Sequence, residues 1–125
     1  MIFLFPAPSG PPRSVVGSPR SQSSIIIQWQ PPDQDKWNGQ LHGYIIRYKP
    51  SGYPDSTISY HNITVVTTSL FELTGLIIFQ EYEIAVAAYN KKGVGVYSDI
   101  LRVRTQEGKP TRPPRNVKAV AVNST

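Results

Sequence analysis

The feature that most constrains this chain is a series of short apolar runs with a period of two, each closed by proline or glycine. Ile25, Ile27 and Trp29 share one parity. Tyr44, Ile46 and Tyr48 do the same, with Arg47 and Lys49 between and beyond them. Phe71 and Leu73 continue the pattern, and Tyr82, Ile84, Val86 and Ala88 alternate with Glu81, Glu83, Ala85 and Ala87. Leu101 and Val103 alternate with Arg102 and Arg104. Successive strand side chains point to opposite faces, so each run has an inward face and a wetter outward one. No long stretch has helical spacing, which points to antiparallel sheets rather than helix-connected parallel ones.

Turn chemistry separates the runs. Pro31 and Pro32 end the Trp29 strand, because proline cannot donate to a ladder. Asn38-Gly39 is a tight-turn dipeptide ahead of Tyr44, and Pro50, Gly52 and Pro54 break the chain after it. Gly75, Gly93 and Gly95 mark further corners. The reading is about seven strands, near residues 13–19, 24–30, 42–49, 57–62, 69–74, 80–90 and 97–105. Two sheets packed face to face bury all their inward sides at once. The expected fold is therefore an all-β, seven-stranded antiparallel sandwich of the immunoglobulin-like kind. Its core is expected to hold Ile25, Ile27, Trp29, Tyr44, Ile46, Tyr48, Leu73, Leu76, Tyr82, Ile84 and Val86, with Trp29 as anchor.

A sandwich of this type needs roughly 100 residues, so 125 residues hold one domain and a remainder. The remainder carries a repeat. Residues 11–15 read PPRSV and residues 113–117 read PPRNV, at an offset of one domain length and differing only at Ser14 against Asn116. Self-similarity at such a period is the mark of a tandem array. The organisation expected is an unassigned segment 1–10, a domain over 11–106, a linker over 107–112 and the start of a following module at 113–125. Residues 1–5 are apolar, but no basic residue precedes them and the run is short for a secretory signal. No apolar run approaches the roughly 20 residues of a membrane span, so direct insertion into a bilayer is not expected.

Little in the chain points to catalysis. It has no cysteine, which removes thiol nucleophiles, thiolate zinc sites and disulfides together. Its two histidines, His42 and His61, fall at strand ends. Asp33 and Asp35 are two carboxylates without a third ligand, a poor calcium set. There is no phosphate-cradling glycine loop. No enzyme, metal or cofactor is expected.

Three features are candidates for contact with partners. Trp37 lies in the polar stretch DQDKWNG and breaks the inward parity. It is either a loop aromatic folded over the end of the sandwich or an exposed contact residue, a type over-represented at interface hot spots. The chain's net charge of +5 falls within residues 102–118, which include Arg102, Arg104 and Arg112, while the rest is balanced. A basic strip attracts anionic partners such as sulfated glycans, whereas nucleic acid is not expected, because no aromatics interleave there to stack bases. Lys91 and Lys92 add two charges in a glycine-rich turn. Asn62-Ile63-Thr64 and Asn123-Ser124-Thr125 match the N-glycosylation acceptor pattern, with Asn62 the candidate within the domain.

Taken together, the pattern resembles a fibronectin type III module. The resemblance rests on Ile25, Ile27, Trp29 and Pro32; on Asn38-Gly39, Leu41, Tyr44, Ile46 and Tyr48; and on Phe71, Leu73, Leu76, Tyr82, Ile84, Val86, Ala88 and Asn90. Gly93, Gly95, Ser98, Val103 and Thr105 complete it. Leu76 and Tyr82 match the family's tyrosine corner, and Ile78 stands where many members carry proline. The loop AYNKKGVGVYSD and the PPR linkers are similar to those of the sidekick family of synaptic adhesion proteins. The resemblance implies a non-catalytic extracellular spacer and interaction module in a neuronal, single-pass, cell-surface adhesion receptor. Its partners would be neighbouring modules of the same chain and homophilic adhesion partners. Two alternatives share the fold: a cytosolic module of a muscle scaffold, and a glycosaminoglycan-binding module that uses residues 102–118.

Overall fold

The computed structural model describes residues 6–108. The linker beyond 108 and the repeat at 113–117 lie outside the described residues. Strands β1 (Arg13–Ser21), β2 (Ser24–Gln30) and β5 (Leu70–Leu73) form one sheet in the order β1-β2-β5. The second sheet runs β4-β3-β6, from β4 (Ser59–Ile63), β3 (Gly43–Pro50) and β6 (Glu81–Asn90). Its far side is completed by β7 (Gly93–Val94) and β8 (Leu101–Arg104), both paired to β6. Every pairing is antiparallel.

The last strand is the main departure in topology. Of the single run expected over 97–105, only Leu101–Arg104 is a strand, and residues 95–100 between it and β7 are irregular. This stretch stays stitched to β6. Gly95 N–H donates to Ala88 O at 2.8 Å, Ser98 N–H donates to Val86 O at 2.8 Å, and Val86 N–H donates to Ser98 Oγ at 3.0 Å. A serine hydroxyl here replaces one backbone carbonyl of the ladder.

The core sits between the sheets. Ile25, Ile27 and Trp29 from β2 and Leu73 from β5 meet Tyr44, Ile46, Tyr82, Ile84 and Val86 from β3 and β6, all at most 4% exposed. Leu76 closes the same cluster at one end. The Trp29 and Tyr44 rings lie 5.4 Å apart, edge to face. Tyr48 departs from expectation: it is half-buried and packs on the core's rim against Tyr82. The parity that places Tyr48 inward is right, but β3 outruns its cover near Pro50. Leu41, Ile63 and Val103 join the core.

Ala85 and Ala87, expected on the wetter face, are also buried, at 2% and 0%. They stand opposite Arg47 and Ile45 of β3 on the central strand. Arg47 lies over the Tyr97 ring at 4.2 Å, so larger neighbours roof the small side chains. Gly43 explains how closely β3, β4 and β6 approach. A Cβ there would collide with Ile63 O and stand 2.6 Å from the Tyr89 hydroxyl.

Candidate interaction surfaces

β6 runs from one end of the sandwich to the other, so its two ends define a head, at Asn90, and a tail, at Glu81. The head gathers residues 31–42, 64–69 and 90–95. Trp37 ends a short 3-10 turn (Gln34–Lys36). Its indole Nε1 donates to Pro32 O at 2.8 Å, and its ring packs on the core. The tryptophan is thus a half-buried lid over the end of the sandwich rather than a projecting contact residue. Beside it, Pro31, Trp37, Leu41, Tyr44 and Val66 line an open, mostly apolar hollow of about 400 Å³.

Asn90 organises the head. It is 5% exposed. Its Nδ2 donates to Pro6 O at 3.1 Å, Trp37 O at 3.1 Å and Asn38 O at 3.3 Å. Its Oδ1 accepts from Lys92 N–H at 2.8 Å and Gly93 N–H at 3.3 Å. One buried amide therefore ties the entering chain to two loops. Residues 6–10, unassigned from sequence, lie against the head. Ser9 N–H donates to Lys36 O at 2.8 Å, Asn38 Nδ2 donates to Ala7 O at 2.9 Å, and Pro8 is buried. Gly95 makes room for it, since a Cβ there would stand 2.6 Å from Pro8 O. Asn90 is only one letter in a strand pattern, because its partners come from segments far apart in sequence.

The tail is built on the Tyr82 corner. The Tyr82 hydroxyl accepts a hydrogen bond from Ile77 N–H at 2.8 Å. Burial pushes the Tyr82 hydroxyl above its ordinary value of 10.0, against the opposing pull of that bond. Burial raises Tyr44 likewise, and Tyr97, where Arg47 pulls the other way. Buried Thr105 holds the same loop. Its Oγ1 donates to Ile77 O at 2.7 Å and accepts from Gln80 N–H at 2.9 Å. The loop leaves Ile77, Ile78 and Phe79 exposed at 44%, 49% and 51%.

The basic residues do not converge. Lys91 and Lys92 are exposed at the head, whereas Arg104 stands opposite Glu81 at the tail. Ten strand residues separate the two sites, roughly 30 Å. Arg102 reaches Glu83 at 3.8 Å, and Glu83 also meets Lys49 at 3.6 Å. The Arg104 guanidinium lies 5.0 Å over the Phe79 ring, and its Nη1 donates to Phe79 O at 2.9 Å. Arg112 lies outside the described residues. Arg102 and Arg104, the described arginines of the strip, thus each have a local partner, and Lys91 and Lys92 lie at the other end of the module.

Asn62 is exposed on edge strand β4, opposite Ile45 and on the outer face of its sheet. Asn123 lies outside the described residues. His61 stacks on Phe71 at 4.2 Å, and Asp33 pairs with Arg13 at 3.3 Å. Among the described residues no group of three or more His, Asp or Glu is placed to hold a metal ion. No described helix is long and apolar enough to cross a membrane.

The family model for the fibronectin type III domain matches residues 10–104. The chain belongs to the fibronectin type III family. This module is 50% identical over 119 residues to protein sidekick of Drosophila melanogaster, covering 95% of the chain and 5% of that protein. It is 48% identical over 118 residues to human sidekick-1, again covering 5% of the relative. The chain thus spans about a twentieth of the length of the curated relatives it matches. Among solved structures, it is similar to the FN1–FN3 domains of chicken CNTN1, with a TM-score of 0.72 and 24% identity. That match covers 81% of this chain and 33% of the other, and shows the fold. The FN5 domain of Drosophila Lar matches with a TM-score of 0.65 and 30% identity, over 80% of this chain and 99% of that domain.

Proposed function

We propose that this fibronectin type III module is a non-catalytic spacer in the extracellular part of a cell-surface adhesion receptor of the sidekick kind, acting at neuronal contacts. The observation that carries this reading is the 48–50% identity to sidekick proteins across nearly the whole module. The geometry supports it. The chain enters at the head, where Asn90 holds Pro6, and leaves at the tail, where Gly108 lies beside Ile78. A module traversed end to end lengthens the receptor and passes orientation from one neighbour to the next. The repeat at 113–117 supports a second module of the same type as the next neighbour. Its partners are then the modules on either side, with adhesion partners reached through loops and outer faces.

The test is display of the intact natural protein on cells, with an epitope in this module. The module is expected to stain without permeabilisation and to shift to lower mass after N-glycosidase treatment, with Asn62→Gln reducing that shift. Staining only after permeabilisation would place the module in the cytosol and favour the muscle-scaffold alternative.

A further inference from the structure

The tail loop is built in an unusual way. Three consecutive apolar side chains, Ile77, Ile78 and Phe79, stand exposed. Phe79 holds φ at 50°, a left-handed backbone that bulky residues rarely adopt. Such a conformation persists only where its surroundings over-determine it, and here they do. Phe79 N–H donates to Gln106 O at 3.2 Å, Phe79 O accepts from Arg104, and Gln106 N–H donates to Ser21 O at 3.1 Å. The Arg104 guanidinium over the ring fixes the aromatic as well. The ridge is therefore held rigid rather than left as a floppy loop. An exposed apolar patch on a rigid frame marks a contact surface.

Its position says what it contacts. A Cβ on Gly108 would stand 3.1 Å from Ile78 Cγ2, so the chain leaves the module alongside the ridge. Five residues later Pro113 opens the copy of residues 11–15. Five extended residues reach at most about 18 Å, so a module that starts there would be tethered within that distance of the exit.

We propose that Ile77, Ile78 and Phe79 are the seat on which the following module of the same chain rests, fixing the angle between the two. The surface that a module of this type offers at its head is visible in this one. The apolar hollow between Pro31, Trp37 and Val66 opens beside the entering segment 6–10, just as the ridge stands beside the exit. Knob at the tail and hollow at the head give a head-to-tail contact that repeats along an array. This inference rests on the tandem reading above.

The test uses the natural polypeptide carried on through the module that follows Thr125. Residual dipolar couplings are measured for both modules. The seat predicts one shared alignment tensor, lost in Phe79→Asn and in Ile78→Asp. Asparagine suits the left-handed backbone, so the Phe79→Asn protein is expected to keep its thermal midpoint. Two folded modules with different tensors in the unaltered protein, or a shared tensor that survives both substitutions, overturns the seat and leaves the tandem reading standing. A chain that forms no second sandwich after Pro113 overturns both.

Discussion

At the residue scale, the stability of this module turns on a few polar atoms with fixed partners. Tyr82→Phe deletes the acceptor for Ile77 N–H and leaves that donor part-buried. The expected loss is about 1–3 kcal/mol, read from the midpoint of urea unfolding. The same tyrosine sets part of the response to alkali. Tyr44, Tyr82 and Tyr97 are all raised above 10.0, chiefly by burial. A group that binds its proton more tightly when folded stabilises fully below its unfolded value. That contribution is lost as pH rises through the raised folded value. Unfolding midpoints are thus expected to hold from neutrality to about pH 10 and to fall above it, less steeply in Tyr82→Phe; an identical slope in both proteins would contradict the assignment. Trp29 and Tyr82 were legible because parity alone marks an inward aromatic. Asn90 was not. Its role comes from three carbonyls on Pro6, Trp37 and Asn38, which only the folded chain brings together.

At the element scale, alternation located each strand, but it reports one strand at a time. It assigned Ala85 and Ala87 to the wet face, because it does not register that β6 is the central strand, roofed by the Arg47–Tyr97 pair. It also missed the irregular stretch before the last strand, since the Ser98 hydroxyl substitutes for a backbone group there. The segment 6–10 gave no period at all, because its structure is docking rather than pairing. Gly95 makes that docking testable. Gly95→Ala drives a Cβ into Pro8, with contacts of 2.6–2.7 Å. The expected outcome is release of residues 6–10, seen as fast amide exchange at Ser9, while Trp29 and Ile84 remain protected. Unchanged exchange at Ser9 would show that the segment is held otherwise.

At the scale of the whole molecule, the sandwich is a rod with different ends. Of the basic strip over 102–118, the described residues are Arg102, which pairs with Glu83, and Arg104, which lies over Phe79 at the tail. Lys91 and Lys92 stand at the opposite end, the head. Sequence counts charges along the chain, whereas a sulfated glycan would meet them in space. What survives folding is polarity of shape: a hollow and a docked entry at one end, an apolar ridge and the exit at the other. The account's central claim is that the chain runs through this module end to end as a spacer. It is tested most directly by small-angle scattering on the natural protein with and without residues 11–106. Removal is expected to shorten the maximum dimension by about 30–40 Å, the length of a ten-residue strand and its end loops, with the flanking modules still folded. No shortening would contradict it.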